Sequence, residues 1–235
     1  MNQPVYLEKY GSAAFERLIS LITKVKDSDS LAPITIIVPT AYAGISLRRN
    51  LSTKKGLINI RFMVSPRLAE YIGSPNLAQK GKTPLSPLIE MAAIRHSAIN
   101  ICAEKPLGDL ALHPKLHSYV KDTFRDLAKL SDIGLISLAK TDPLRGQLVN
   151  WYQSYNSLIN QYYSREDLSL SAAEAVDQSK VGIVLQDLGF IIYYLVFDFS
   201  PGELALLDEL CKKEQCAVII GLIAEPQIDQ GVEKI

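Results

Sequence analysis

Apolar positions along this chain follow two different periods. Short runs rich in β-branched residues occur before residue 65 and again between residues 190 and 222, whereas the middle of the chain carries apolar residues at three- and four-residue spacing. The runs are typical of buried strands, and the spacing is typical of amphipathic helices. The pattern therefore predicts an α/β core whose sequence is interrupted by helices.

Strand signals fall in five places, at residues 5–7, 34–38, 58–64, 190–197 and 216–222. Runs that are apolar throughout suit a parallel sheet covered on both faces. We therefore predict an α/β fold with a parallel sheet of about five strands flanked by helices. The last strand is expected to lie at an open edge of this sheet, where it invites self-association.

Helix signals dominate from residue 84 to residue 179. Amphipathic segments are predicted at 85–103, 114–130, 143–163 and 166–177. We assign 1–83 and 180–235 to the α/β core and 84–179 to an all-helical insertion. Outside the insertion, a short helix is predicted at 67–71, and Ser200, Pro201 and Glu203 form a capping-box pattern that opens another.

Composition narrows the class of protein. The 235 residues are 48% hydrophobic and 21% charged, with a net charge of zero. This balance predicts a soluble globular protein and argues against a dedicated high-affinity nucleic-acid module, which concentrates positive charge. Because no apolar run has membrane-spanning length and the N-terminus has no signal-peptide pattern, we expect a cytoplasmic location. Three scattered cysteines, Cys102, Cys211 and Cys216, are expected to be reduced and structural.

The first strand–turn–helix lacks the residues of a phosphate loop. A turn containing Gly11 and Ser12 stands where Gly-x-x-x-x-Gly-Lys-Ser/Thr would be, and no lysine follows the glycine. The string 81–83, Gly-Lys-Thr, imitates the end of such a loop, but Asn76 replaces its first glycine and no strand precedes it. We interpret it as a plain loop.

Four groups of strings, in order, resemble one family. They are residues 32–40 with 43–49, 59–62 with 66–70, 162–168, and 199–207. The series resembles the N-terminal region of the B subunit of AddAB-type helicase-nucleases, and more closely the related bacterial PD-(D/E)XK nuclease family proteins. It spans nearly the whole chain.

The resemblance implies a degenerate P-loop, helicase-like domain of a DNA repair and recombination protein. Such a domain has lost its ATP site and serves as a scaffold that contacts DNA and a partner. Asp198 is the residual acid where a working helicase carries an acidic pair, and no Glu-x-Lys nuclease motif is found on a strand. We therefore expect no cofactor and no ATPase or nuclease site in this chain. We expect the chain to be either a piece of a longer exonuclease or helicase-nuclease subunit, or a stand-alone relative of such a domain.

The expected partners are single-stranded or end-containing DNA, bound weakly, and a nuclease domain of the parent chain or a helicase partner subunit; no membrane is expected. The resemblance implies phosphate contacts in the loops after the second and third strands, as in active helicases of this architecture. The candidates are Thr40, Arg48, Arg49, Arg61, Ser65 and Arg67. Alternatively, the arginines are ordinary surface residues, and the chain is a protein-interaction domain that docks a partner subunit without binding DNA. A third alternative is a domain that binds nucleotide without hydrolysing it. The missing phosphate-loop lysine argues against this alternative.

Other chemistry-bearing residues have structural interpretations. His96, His113 and His117 are predicted to be surface or capping residues. The aromatic residues between Trp151 and Tyr163 match helix packing better than base stacking. Acidic residues such as Asp122 and Asp126 are expected on a solvated face.

Overall fold

The computed structural model describes residues 5–54, 58–101 and 106–223, and these form seven strands and ten α-helices. The strands are β1 (Val5–Lys9), β2 (Ile34–Ile37), β3 (Ile60–Met63), β4 (Thr83–Pro84), β5 (Tyr162–Tyr163), β6 (Phe190–Tyr194) and β7 (Cys216–Leu222). The helices are α1 (Ser12–Ser28), α2 (Ala41–Lys54), α3 (Ser65–Gln79), α4 (Pro87–Ile101), α5 (Pro114–Leu127), α6 (Asp132–Ala139), α7 (Pro143–Leu158), α8 (Arg165–Asp177), α9 (Gly182–Leu188) and α10 (Pro201–Lys212).

The chain divides into two compact units. The sheet unit comprises Met1–Asn76 and Leu168–Ile235, and the helical unit comprises Leu77–Asp167. The second boundary differs from the one drawn from the sequence, because most of α8 belongs to the sheet unit. Within that unit, the Ser171 hydroxyl donates to Gly73 O at 3.2 Å, and α8 approaches α3 closely at this glycine.

The sheet unit contains a five-stranded parallel sheet in the order β1-β7-β6-β2-β3. The predicted α/β fold with about five parallel strands is confirmed. β7 lies between β1 and β6, so the expectation that the last strand forms an open edge is wrong. The edges of this sheet are β1 and β3.

β-Branched residues explain why β2 lies in the interior of the sheet. Its four residues, Ile-Thr-Ile-Ile, are all buried. Their side chains suit a pleated surface covered on both faces. Thr35 is tolerated there because its hydroxyl donates to Leu188 O at 2.7 Å. The core on one face adds Leu18 and Ile22 of α1 and Leu47 and Leu51 of α2.

Two elements near the sheet differ in length from their predictions. α3 continues past residue 71 through Gly73 and Pro75 to Gln79. Gly73 is required there, because an added Cβ would lie 2.5 Å from Leu168 O. β6 stops at Tyr194 instead of residue 197, because Leu195 adopts a left-handed φ of 57°. The predicted capping box at Ser200 is confirmed.

An aromatic cluster forms the core of the helical unit. Trp151 is fully buried, and its ring meets Phe124 edge-on with centroids 5.8 Å apart. The Trp151 Nε1 donates to Ser97 Oγ at 2.9 Å, which satisfies the buried indole. Tyr152 and Tyr155 pack on the same phenylalanine. The helix-packing interpretation of these three α7 aromatic residues is confirmed.

A buried carboxylate lies beside this core. Glu90 is 7% exposed, and its carboxylate meets Arg125 at 3.0 Å and Lys121 at 3.2 Å. The side chains of Asp122 and Asp126, by contrast, are 78% and 75% exposed; Asp122 pairs with Arg125 of α5, and Asp126 pairs with Lys129 just beyond that helix. The prediction of a solvated acidic face is confirmed for these two residues. Burial, followed by the charge of Glu90, raises the pKa of Tyr155.

Candidate functional site

The sheet unit has a topological switch point between β2 and β6. The chain leaves β2 through α2 toward β3 on one side, and it leaves β6 through α10 toward β7 on the other. In open parallel sheets, ligands bind in the crevice outside the carboxyl ends of strands at such a point. The candidate site is therefore the crevice beyond Ile37, Met63 and Tyr194.

This crevice has a volume of about 290 Å³. Six of its nine lining residues are apolar, and the other three carry polar side chains. Its lining residues are Val38, Pro39, Val64, Ser65, Pro66, Val196, Phe197, Asp198 and Glu203. Two of the polar lining residues, Asp198 and Glu203, are acidic, so the crevice suits a small molecule or a nucleobase more than a phosphate.

The three polar side chains of the crevice differ in what they can still bind. Ser65 is 7% exposed, and its Oγ has no hydrogen-bond partner within the described part of the chain. Glu203 accepts from the backbone N–H of Ser200 at 2.9 Å, which uses one of the several hydrogen bonds that a carboxylate can accept. Asp198 is exposed. Because an unsatisfied buried hydroxyl is costly, Ser65 is the residue that a ligand would relieve.

Phe197 forms an exposed aromatic rim. Its side chain is 70% exposed although it follows a buried strand. Phe197 was predicted to lie inside the strand and is therefore absent from the predicted site residues. The positive φ of Leu195, which turns the chain outward, has no local sequence signal; the Asp-Phe-Ser-Pro string that follows is the nearest indication of a turn.

Thr40 lies at the N-terminus of α2, beside the crevice residue Pro39. Its Oγ1 accepts from Ala43 N at 3.1 Å, which is the hydrogen bond of a helix N-cap. The hydroxyl proton remains available to a ligand, because a hydroxyl both donates and accepts. The positive end of the α2 dipole adds a weak attraction for an anion here.

Arg48 and Arg49 lie farther along α2. Eight residues separate Thr40 from Arg48, which corresponds to about 12 Å along a helix axis. The Arg48 guanidinium lies over the Phe62 ring at 5.3 Å from its centroid. Arg49 is exposed. These two charges therefore extend away from the crevice along one helix.

The other two predicted arginines are paired with carboxylates. Arg67 Nη1 meets Glu70 at 2.6 Å in an exposed pair, which contributes little to stability. Arg61 forms a bidentate pair with Asp187 at 2.6 and 2.7 Å, and Tyr71 donates to the same carboxylate at 2.8 Å.

The hydrogen bond from Arg61, followed by that from Tyr71, lowers the pKa of Asp187 to about 2. The same bond to Asp187 raises the pKa of Arg61. A phosphate at Arg61 would therefore compete with an ionised carboxylate. Arg61 is also the second residue of β3, whereas the crevice begins beyond the last residue of that strand. The structure does not bring Arg61 together with Thr40 and Ser65.

The turn between β1 and α1 is very short. Only Tyr10 and Gly11 separate Lys9 from the first residue of α1, Ser12. Gly11 has φ 103° and makes no side-chain cap, and Tyr10 N donates to Leu222 O at 2.8 Å. A phosphate loop instead needs several consecutive residues whose amides surround the phosphates. The fold at this turn is a tight strand–helix connection.

The Gly-Lys-Thr string at 81–83 ends a helix. Gly81 has φ 71°, and its N–H donates to Ala78 O at 3.0 Å. Lys82 N donates to Leu77 O, also at 3.0 Å. These two bonds form a Schellman motif at the end of α3, so the glycine terminates the helix. Thr83 then enters β4.

The histidines do not assemble a metal site. His113 caps α5 by accepting from Lys115 N at 3.2 Å, and His96 is exposed, as predicted. His117 is 4% exposed and its Nε2 donates to Ala111 O at 2.8 Å, so its assignment to the surface is wrong. Among the residues that the structure describes, no three His, Cys, Asp or Glu side chains are grouped to hold a metal.

Comparison with known proteins adds no relative: no family model and no curated protein matches this chain. None of the helices within residues 5–54, 58–101 and 106–223 has the length and apolar character needed to cross a membrane.

Proposed function

We propose that this chain is a non-catalytic, helicase-like domain of a DNA-repair helicase-nuclease, and that it contacts single-stranded DNA as a scaffold. One observation carries the proposal. A five-stranded parallel sheet has a crevice at its switch point, while the turn that would hold nucleotide phosphates is reduced to Tyr10 and Gly11. A candidate binding crevice together with a turn too short for a phosphate loop supports this proposal.

The chemistry of the crevice assigns different parts of a nucleotide to different residues. Asp198 and Glu203 repel a phosphate inside the crevice, whereas carboxylates accept hydrogen bonds from base amino groups. Phe197 offers a face on which a base stacks. The phosphate then lies outside, at the Thr40 hydroxyl and the first amides of α2.

Arg48 and Arg49 supply the electrostatic part of the proposal. They continue along α2 from Thr40, so a strand whose phosphate is bound at Thr40 can extend over them. Contacts of this kind are independent of sequence and weaken as salt displaces the protein charges. With a net charge of zero, the chain is expected to bind weakly.

The proposal is tested by fluorescence-anisotropy titration of a labelled single-stranded oligonucleotide at low and physiological salt. We expect salt-dependent binding that ATP does not change. Phe197→Ala should weaken it by about 5- to 150-fold, which corresponds to about 1–3 kcal/mol for one stacked base. Tyr119→Ala is the matched control, because this tyrosine is 72% exposed in the helical unit. Its affinity should equal that of the wild type.

The arginines are tested through the salt dependence. Replacing Arg48 and Arg49 together with alanine should lower the slope of log K against log salt by up to about 1.4, because each single-strand phosphate that an arginine neutralises contributes roughly 0.7. Arg145→Ala in the helical unit provides the charge control. An unchanged slope in the double variant refutes the proposed path, and ATP turnover by the wild type refutes the non-catalytic assignment.

A second candidate is a protein-interaction domain that docks a partner subunit without binding DNA. The observation that favours it is α6, an apolar helix of eight residues, none of which is buried. Ile133 is 80% exposed and Ile136 is 54% exposed. Absence of any oligonucleotide binding at low salt would select this candidate over the first.

A further inference from the structure

Two thiols meet at the turn between α10 and β7. Cys211 lies in the last turn of α10, and Cys216 is the first residue of β7. Their sulfur atoms are 2.8 Å apart, and both cysteines are free thiols. The sequence spacing of five residues gave no indication of this contact, because it matches no familiar paired-cysteine motif.

The backbone fixes this approach. Glu214 takes a left-handed φ of 56°, and its N–H donates to Cys211 O at 3.0 Å. Gln215 N donates to Leu210 O at 3.3 Å. The two bonds form a Schellman motif that reverses the chain directly after α10. Cys216 is then held in register opposite Ile191 of β6.

The two thiols are not equivalent. Cys216 is 5% exposed, whereas Cys211 is only half-buried. The hydrogen bond between the two sulfur atoms lowers the pKa of the Cys211 thiol against the effect of burial. The same bond, together with burial, raises the pKa of Cys216. Because the thiolate is the nucleophile, Cys211 is the thiol that reacts first.

We propose that Cys211 and Cys216 are a peroxide-sensitive dithiol that closes to an intramolecular disulfide. The Cys211 thiolate attacks one oxygen of hydrogen peroxide and breaks the O–O bond; with one proton taken up, this gives a sulfenic acid and water. The sulfur of Cys216 then attacks the Cys211 sulfur. Its thiol proton leaves with the hydroxyl group as a second water, so the two thiols are oxidised by two electrons and one peroxide is reduced.

The product joins the end of α10 to the start of β7. α10 also carries Glu203, which lines the crevice, in its first turn. The dithiol therefore lies on the helix that borders the candidate site, at its opposite end. Thiol–disulfide exchange with a reduced dithiol reopens the bond.

The test uses the full wild-type chain, because trypsin separates the two cysteines. Lys212 and Lys213 lie between them, so each cysteine enters its own peptide. The reduced protein is treated with hydrogen peroxide, blocked with N-ethylmaleimide and digested without reductant. We expect one cross-linked pair of peptides that is lighter by two hydrogen atoms and separates on reduction. The peptide of Cys102 is read separately.

Recovery of both peptides as maleimide adducts, or of Cys211 as a sulfinic acid without a cross-link, overturns the proposal. The order of attack is tested with two variants and dimedone, which traps sulfenic acids. Cys216→Ser should give a dimedone adduct on Cys211, whereas Cys211→Ser should leave Cys216 unmodified. An adduct on Cys216 with none on Cys211 overturns the assigned roles. Cys102→Ser should leave the cross-link unchanged.

Discussion

Gly189 has no room for a side chain. It follows α9 and precedes β6, with φ 65° and ψ −144°. A Cβ added there would lie 1.8 Å from Pro33 O. That carbonyl accepts the hydrogen bond of Phe190 N at 3.1 Å, which begins the pairing of β6 with β2. Gly189→Ala must therefore displace the chain where these central strands start.

The expected cost has three contributions. A backbone conformation that is nearly restricted to glycine costs about 1–3 kcal/mol in any other residue. Loss of the Phe190 hydrogen bond adds about 1 kcal/mol, and repacking around the new methyl adds about 1–3 kcal/mol. We therefore expect Gly189→Ala to lower the free energy of unfolding by at least about 3 kcal/mol.

Two other glycines separate these effects. Gly11 also has a positive φ, 103°, but nothing lies within 4 Å of its added Cβ. Gly11→Ala should therefore cost only the backbone strain, about 1–3 kcal/mol. Gly182 in α9 has neither a positive φ nor a close neighbour. Gly182→Ala should stabilise the chain by up to about 1 kcal/mol, because alanine is the better helix former.

Urea unfolding followed by far-UV circular dichroism measures the three variants against the wild type. Trp151 is the sole tryptophan of the chain and lies in the helical unit. Its fluorescence therefore provides a separate signal for that unit. If Gly189→Ala costs no more than Gly11→Ala, the close approach to Pro33 is not what requires glycine, and the reasoning fails.

Three further changes have defined outcomes. Pairing with Arg61 lowers the folded-state pKa of Asp187 from 3.8 to about 2. This pair therefore stabilises the fold above pH 3.8, and the stabilisation is lost as the pH falls toward 2. Asp187→Asn should accordingly lower Tm at pH 7 but not near pH 2. Trp151→Phe should cost about 1–3 kcal/mol in urea unfolding, because it shrinks a fully buried ring and removes the donor to Ser97. Ser200→Ala should cost about 1 kcal/mol through the lost N-cap of α10, whereas Ser200→Asp, which keeps an acceptor, should not.

Local signals in the sequence account for much of the sheet. β2 and β7 are short apolar runs, and the start of α10 is predicted by its Ser200 N-cap and by Pro201 in its first turn. These features depend on neighbours in sequence, so they can be predicted without a structure. The helix after Ser65 was predicted to end at residue 71, before its actual end at Gln79, because Gly73 and Pro75 are typical helix breakers. In the folded chain Gly73 instead permits α8 to approach.

The candidate site was only partly predictable. Thr40 and Ser65 were predicted because the resemblance to helicases places phosphate contacts in the loops after the second and third strands, and both residues lie at or beside the crevice. Phe197 was missed because the strand before it ends through the backbone of Leu195, a conformation that tertiary packing imposes. The pairing of Arg61 with Asp187 joins residues far apart in sequence. No periodicity or spacing of residues in the sequence predicts such a contact.

The pairing of β1 with β7 has a consequence for how the protein is made. Val5 lies opposite Val218 in this ladder, so the sheet joins segments that are synthesised more than two hundred residues apart. Such a high contact order slows folding, because the long loop must close before the two strands can pair. The helical unit, Leu77–Asp167, is continuous in sequence and can form while synthesis proceeds. The nascent chain therefore holds β1 without its partner strand until β7 leaves the ribosome, and during that interval the apolar residues of β1 are most exposed to aggregation and to chaperone binding.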